Sequence, residues 1–419
     1  MTRVLLILPS ATYRAHDFTE AAATLGADLI VASDRRQAMS AFLGDRALVL
    51  PLRRPEEAAQ RVVDHAARLP IDAVVAVDDQ GVRTAALAAE RLGLRTSDPD
   101  AVARTRDKHA MRQALRVAGV PQPAFRYLPP GAPVTDDLDY PVVLKPLGLS
   151  ASRGVIRADD PAAAQAAAER IRAIAGDPEA PLLAESFIPG DEVAVEGLLR
   201  AGAFETLAVF DKPDPLDGPY FEETIYVTPS RKPDEVIEAI ERTAAAAAKG
   251  LGLTEGPVHA ELRVSDDGSV TLLELAARSI GGLCSRALRF GAGVSLEEVI
   301  LRHALGLPVA DLNRADRASG VMMLPIPRRG VLHEVRGQDE ARAVPGIAGL
   351  EISIARGRPV EPLPEGDRYL GFVFARGQTP AEVEQALRDA HGRLEVDIRE
   401  ESRTRSSAGD PPAARTARA

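Results

Sequence analysis

Short apolar runs alternate with amphipathic stretches along the first quarter of the chain. Arg3–Leu8, Asp28–Ala32, Ala47–Leu50 and Asp72–Val77 read as strands: each is a short run rich in Leu, Ile, Val or Ala, bounded by polar residues. Between them Phe18–Leu25, Pro55–Leu69 and Gly81–Leu92 place apolar residues three and four apart and read as helices. Strand and helix in alternation predict a parallel sheet with crossover helices. The first strand-to-helix turn, Pro9-Ser-Ala-Thr-Tyr-Arg14, lacks the glycines of a dinucleotide site, so that reading fails.

From Asp107 to Gly306 the pattern changes to α+β. The alanine-rich stretch Glu235–Lys249 has high helix propensity and predicts a helix capped by Gly250, and a further helix is expected over Ser295–Leu305. From Asp311 to Ile398 short strands flank a Pro-Gly-rich stretch (Val344-Pro-Gly346, Pro362–Gly366), followed by a helix over Pro380–His391. The fold class expected is α/β and α+β. There is no internal repeat.

A chain of 419 residues is long for one core and suggests several domains. The net charge of −10 argues against a nucleic-acid-binding surface. Cys284 is the single cysteine, which excludes internal disulfides and points to a reducing, cytoplasmic setting. The apolar run after Met1 ends at Pro9, too short for a signal peptide or membrane span. Arg403–Ala419 carries four arginines against one acid, is rich in Ser, Ala and Pro, and is expected to be disordered.

Two glutamates carry the first chemical signal. Asp267-Gly268 lies between two apolar runs, the signature of a two-residue type I′ hairpin. If these residues form the turn, Asp266 pairs with Ser269 and Glu261 faces Glu274. Like charges so placed destabilise a sheet, and a hard divalent cation is the commonest reason to keep them. Two solvated carboxylates on an outer face are the alternative. Upstream, the strand Tyr140–Lys145 delivers Lys145 to a small-residue loop holding Gly148, Ser150, Ser152, Gly154 and Val155. Glycines there allow close backbone approach, successive N–H groups can form an anion nest, and the lysine adds a point charge for phosphate. Next, an apolar strand ends in Glu185-Ser-Phe-Ile188. A Pro-Gly turn leads from it to an alternating strand carrying Glu192. Asp78-Asp79 closes a strand, at a ligand crevice or as a helix cap. The seven histidines show no metal-ligand spacing, though His259 shares a strand face with Glu261.

In this order the pieces resemble the ATP-grasp superfamily of ligases. The likeness begins at Arg106-Asp-Lys-His-Ala-Met-Arg112, runs through Lys145, the Ser150–Val155 loop, Glu185–Ile188 and Glu192, and closes on Glu261 and Glu274-Leu-Ala-Ala-Arg-Ser-Ile-Gly-Gly282. It implies that Lys108 and Lys145 contact ATP phosphates under a loop of Ser150, Ser152, Gly154 and Val155. Phe187 and Ile188, next to Glu185, would lie by the adenine, and Glu192 would hold the ribose. Glu261 and Glu274 would bind Mg²⁺ or Mn²⁺. Many members carry Asn two residues after the second metal glutamate; here that position is Ala276, which puts a second metal in doubt. Arg278 and Gly281-Gly282 are similar to the L-amino acid ligase branch, where the arginine meets the phosphoryl group. Arg329–Val335 and Gly371–Gly377 resemble that branch's C-terminal domain. Asp211-Lys212 with Pro219–Tyr226 looks like an acid–amine substrate region, a surface hairpin being the alternative, and Lys212 joins Arg278 as a catalytic candidate.

The resemblance implies an ATP-grasp architecture: an N-terminal α/β domain over 1–105, an ATP-binding domain over 106–310 divided near 188, and a small C-terminal domain over 311–400. The expected reaction joins a small-molecule carboxylic acid to an amine, amino acids by expectation, through an acyl phosphate. A carboxylase or a ligase with a bicarbonate or thiol acceptor is the first alternative, and a non-catalytic nucleotide-binding module the second. No nucleic acid or membrane is expected as partner, and a homodimer is left open.

Overall fold

The computed structural model describes residues 2–10, 12–36, 43–134, 137–309, 311–315 and 317–400; the tail expected at 403–419 lies outside them. Three sheets frame the cavity described below. The N-terminal sheet is parallel, in the order Ala47–Val49, Asp28–Ser33, Arg3–Ile7, Ala73–Ala76. Its helices Ala15–Thr24, Pro55–Ala66 and Val82–Arg91 follow the predicted alternation. Strand Arg3–Ile7 has Asp28–Ser33 on one side and Ala73–Ala76 on the other, so the strand order reverses there. Such a point opens a crevice beyond the carboxyl ends of the strands, and Pro9, Tyr13, Asp78 and Asp79 all face it.

The second sheet is small and antiparallel: Phe125–Leu128, Leu182–Ser186, Val142–Pro146, Ile156–Ala158. Helix Pro161–Ala175 packs Ala164, Ala168 and Ile171 against it. The third sheet has eight antiparallel strands, in the order Val270–Ala276, Gly256–Val264, Asp191–Arg200, Ala203–Lys212, Ile225–Thr228, Ala318–Leu324, Gly371–Gly377, Ile347–Ile352. It therefore takes strands from both sides of the domain boundary expected near 310.

Alternation along Asp191–Arg200 shows how this sheet is covered. Val193, Val195 and Leu199 meet helix Asp234–Leu251 through Ile240, Ala244 and Ala248. Ala194 and Leu198 join a core on the opposite face that reaches Val4 and Leu6 of the first sheet and Leu296–Ala304. Both faces of the strand are buried, each against a different layer.

Helix Asp234–Leu251 ends later than its sequence suggests. Gly252, not Gly250, takes the left-handed cap at φ +85°. Gly250 lies inside the helix, where a Cβ would come within 2.6 Å of the Ala118 Cβ, so its small size serves packing. Two further helices flank the entry to the second sheet, Pro99–Arg104 and Lys108–Val117. Both are announced by caps: Asp98 accepts from Asp100 N at 2.7 Å, and Asp107 from His109 N at 2.9 Å. No helix among the described residues is long and apolar enough to cross a membrane.

Gly190 links the second and third sheets. It has φ +111°, and a Cβ there would sit 2.2 Å from the Val264 carbonyl oxygen. Its own carbonyl accepts from Arg263 Nη1 at 2.8 Å, so the turn is held from both sides. Gly190→Ala should destabilise the protein by about 2 kcal/mol or more. A urea midpoint equal to that of the parent chain would contradict this account of the turn.

Candidate functional site

A cavity of about 1020 Å³ opens between the three sheets. The Asp107-Lys108 pair shows how one wall is built. Asp107 caps helix Lys108–Val117, which fixes Lys108 at its first turn. The Lys108 ammonium then donates to the Leu149 carbonyl at 2.9 Å and to Glu274 Oε1 at 3.3 Å. Lys145 leaves strand Val142–Pro146 and meets Glu185 at 2.7 Å. Glu185 also accepts from Arg112 Nε at 2.7 Å, and both partners are buried.

Glu261 does face Glu274 across the hairpin Gly256–Val264 and Val270–Ala276, but by an unexpected route. The turn is not the two-residue Asp267-Gly268 type. Ser265 N donates to Ser269 O at 3.0 Å, Gly268 N donates to Ser265 O, and of the expected pair only Gly268 has positive φ, +80°. A three-residue loop closed by a left-handed glycine is the next commonest hairpin. Alone it would set Glu261 opposite Leu273, because Val264 pairs with Val270 and Leu262 with Leu272. A β-bulge absorbs Leu273 and restores Glu274 to its place. Arg112 donates to the Leu273 carbonyl, which gives the bulged residue a buried partner.

Around Glu261 lies a dense charge cluster. Among the described residues Glu192, Glu223 and Glu261 bring carboxylate oxygens within 4.8 Å of one another. Lys212 sits among them, 2.7 Å from Glu192 and 3.7 Å from Glu261, and hydrogen-bonded to Glu223. Its side chain is 2% exposed and stands behind the carboxylates rather than on the cavity wall. Lys212 is thus placed as a counter-ion, not where a reacting group would touch it. Burial would raise Glu261, but Lys212 and then His259 outweigh it and hold the carboxyl well below the usual range. Glu223 goes the other way: burial pushes it up, and one shared ammonium does not offset the added repulsion of Glu261 and Glu192. His259 bonds Glu196 at 2.5 Å and faces Glu261 at 3.5 Å; against the pull of burial these two carboxylates raise it to about 9.

Other expected residues land with differences. Arg278 reaches across to Asp79 at 2.9 Å, and Arg106 meets the same carboxylate at 3.0 Å. Asp79 is therefore neither a helix cap nor a free acid; despite burial, Arg278 and Arg106 hold it below the usual range. Phe187 and Ile188 line the cavity, with the Arg157 guanidinium 4.2 Å over the Phe187 ring. The Phe187 N–H already donates to Pro141 O at 3.0 Å, so it is not free for a purine edge. Glu192 lines the cavity too, yet one oxygen accepts from Lys212 and the other from Arg263 at 3.1 Å. Ser150, Ser152 and Val155 line it, with Ala151 and Ser152 both at positive φ. The expected nest is not formed at 153–155: the N–H groups of Arg153, Gly154 and Val155 donate to Ser150, Pro364 and Ser152 carbonyls. Glu223, Tyr226 and Arg263 also line the cavity, and the first two fall within the Pro219–Tyr226 region. No spacing signal marks Arg263, because its partners lie 71 and 47 residues away.

Glu185 supplies a pH test. Burial would raise it, but Arg112 and then Lys145 bring it from the usual 4.5 down to about 2. A depressed carboxylate contributes stability that is present above its unfolded value and lost as pH falls through its folded value. That contribution is about 3 kcal/mol and should disappear as pH falls from about 4.5 through about 2. In Glu185→Gln, urea midpoints at neutral pH should fall and their decline over that acid range should flatten. An acid limb as steep as the parent's would refute the assignment.

Three family models match the chain: an ATP-grasp N-terminal domain at residues 19–96, an ATP-grasp domain at 138–287, and L-amino acid ligase C-terminal domain 2 at 322–399. Alanine–anticapsin ligase of Bacillus subtilis is 28% identical over 269 residues, covering 59% of this chain and 56% of the relative. Dapdiamide A synthase of Enterobacter agglomerans is 25% identical over 261 residues, covering 59% and 60%. The match thus spans little more than half the length of these curated relatives. Among solved structures, L-amino acid ligase from Bacillus licheniformis superposes with a TM-score of 0.79 at 25% identity, over 96% of this chain and 99% of that one. A carboxyaminoimidazole ribonucleotide synthase from Aspergillus clavatus, complexed with ATP, shares the fold with a TM-score of 0.72 at 19% identity, over 94% and 99%. With its ATP-grasp core, its matching ATP-grasp N-terminal domain and a C-terminal domain of the L-amino acid ligase type, the chain belongs to the ATP-grasp superfamily.

Proposed function

We propose that the protein is an ATP-dependent carboxylate–amine ligase that joins amino acids, releasing ADP and phosphate. One observation carries this reading: Lys108, Lys145 and Arg278 converge on the same cavity as the opposed carboxylates Glu261 and Glu274. That cavity is at the upper end of small-molecule sites, roughly 300–1,000 Å³, which suits a nucleotide with a second ligand beside it. The ligase relatives of amino acids support the substrate class.

A carboxylate is a poor electrophile toward an amine. In the proposed reaction an oxygen of the acid attacks the γ-phosphorus of ATP, ADP leaves, and an acyl phosphate remains. The amine then attacks the acyl carbon and phosphate departs. The first step is mainly positioning and charge neutralisation. Lys108 and Lys145 supply fixed positive charge for the phosphates, each oriented by a carboxylate. Arg278 offers a planar fork suited to the transferring phosphoryl oxygens, and Asp79 orients it.

The donor set fits a divalent cation. Glu261 and Glu274 are hard oxygen ligands, 28% and 30% exposed on the cavity, facing each other across one hairpin. They would hold Mg²⁺ or Mn²⁺, which when bound supplies further neutralisation of phosphate charge.

Glu274→Gln should lower phosphate release by about 100-fold and leave the fold intact, since Glu274 is partly exposed and Lys108 keeps both the Leu149 carbonyl and an amide oxygen as acceptors. Near-normal turnover would remove it from the metal site. Arg278→Lys keeps the charge and loses the fork, so kcat should fall more than ATP affinity. With ¹⁸O in the acid's carboxylate, one labelled oxygen should appear in the phosphate released on amide formation. AMP with pyrophosphate as products, or label absent from phosphate, would overturn the acyl-phosphate reading. ADP release that requires bicarbonate would make the protein a carboxylase instead.

A further inference from the structure

The loop Ser150–Val155 is bound at its outer side to a distant part of the chain. Gly154 N donates to the Pro364 carbonyl at 3.0 Å, and Arg153 Nε to the Glu365 carbonyl at 3.0 Å. Behind the loop, helix Pro161–Ala175 presents Arg170, whose Nε and Nη2 meet the two Glu365 oxygens at 2.6 and 3.0 Å. This bidentate fork is the strong form of a carboxylate–arginine pair. Arg170 also donates to Tyr220 and lies 5.1 Å over its ring. Two residues beyond Glu365 the same segment reaches the cavity, where Asp367, Arg368 and Tyr369 form part of the wall. A single stretch therefore touches the loop at one end and the ligand space at the other.

We propose that Glu365 is the catch of a lid. Its pair with Arg170, and its segment's bonds to Arg153 and Gly154, hold Ser150–Val155 closed, and a ligand beside Asp367–Tyr369 strengthens that closure. This rests on the reading that ATP phosphates lie under the loop. Glu365 and Arg170 are positioning residues: neither lies on the cavity wall. Their chemical effect is to exclude water. An acyl phosphate is hydrolysed unless it is shielded, so a loosened catch spends ATP without making amide. Both side chains are partly exposed, at 35% and 43%, so exchanging them does not disturb a core.

The test uses the full chain with Glu365→Gln, Glu365→Arg, Arg170→Glu and the Glu365→Arg/Arg170→Glu exchange. Each single variant should raise the ADP formed per amide and raise the KM for ATP by about tenfold, with a smaller change in kcat. The exchange should restore both, which a merely structural role does not predict. A second readout needs no turnover: trypsin cleavage after Arg153, followed by mass spectrometry with a non-hydrolysable ATP analogue present. Single variants should be cut faster than the parent and the exchange should be protected again. If cleavage follows this order while the parent makes no amide from amino acids, the catch stands and the ligase reading falls. If coupling, KM and cleavage are all unchanged in Glu365→Gln and Arg170→Glu, the catch is overturned. Failure of the exchange to restore any of them likewise overturns the pairing.

Discussion

Three cations on the phosphate side of the cavity are each held by a carboxylate delivered by another element. Lys108 is tied to Glu274, Lys145 to Glu185, and Arg278 to Asp79. A buried charge without its partner costs several kcal/mol, so these pairs oblige the elements that carry them to meet. Glu185 and Lys145 join neighbouring strands of the second sheet. Lys108 binds the helix entering that sheet to the hairpin of the third. Arg278 and Asp79 bind the hairpin's exit to the N-terminal sheet. The same contacts that pin the layers leave the cationic ends pointing into one space.

The hairpin is the most constrained of these parts. Its two glutamates must oppose each other, yet the loop that closes it is one residue out of step for that purpose. The bulge at Leu273 corrects the step, and Arg112 secures the bulge. Arg112 also fixes Glu185. One buried guanidinium thus serves the metal-facing strand and the lysine of the neighbouring sheet together. The expected opposition of Glu261 and Glu274 held because two local departures cancel, and nothing in the local residue pattern shows either of them.

Polar groups not aimed at a ligand complete the frame. Arg14, from the first turn of the N-terminal sheet, is fully buried. It donates to Ser279 Oγ at 2.7 Å and to Ile280 O at 3.0 Å, and pairs with Glu297 at 2.6 Å. Glu196 accepts from Ile280 N at 3.0 Å. The stretch after Arg278 is therefore held from two sides, by the first turn of the N-terminal sheet and by strand Asp191–Arg200.

The chain's own pattern determined the alternating N-terminal layer, the main helices, and the residue types able to meet phosphate and metal. These are short-range properties: apolar period, caps and strand-end charges are written within a few residues. What it left undecided depends on neighbours far along the chain. The exposure of Lys212 is not written in its neighbours along the chain; three carboxylates, on two strands and a connecting segment, enclose it. The loop's N–H groups looked free because the Pro364 carbonyl that takes one of them lies two hundred residues away in sequence. The helix expected to end at Gly250 runs on to a left-handed cap at Gly252, and Gly250 instead leaves room for Ala118, the residue that caps another helix. Sequence set which groups carry charge and which segments are stiff; only the packed layers decided which charges neutralise one another and which still face the cavity, because the cost of burying a charge is settled by its neighbours in space.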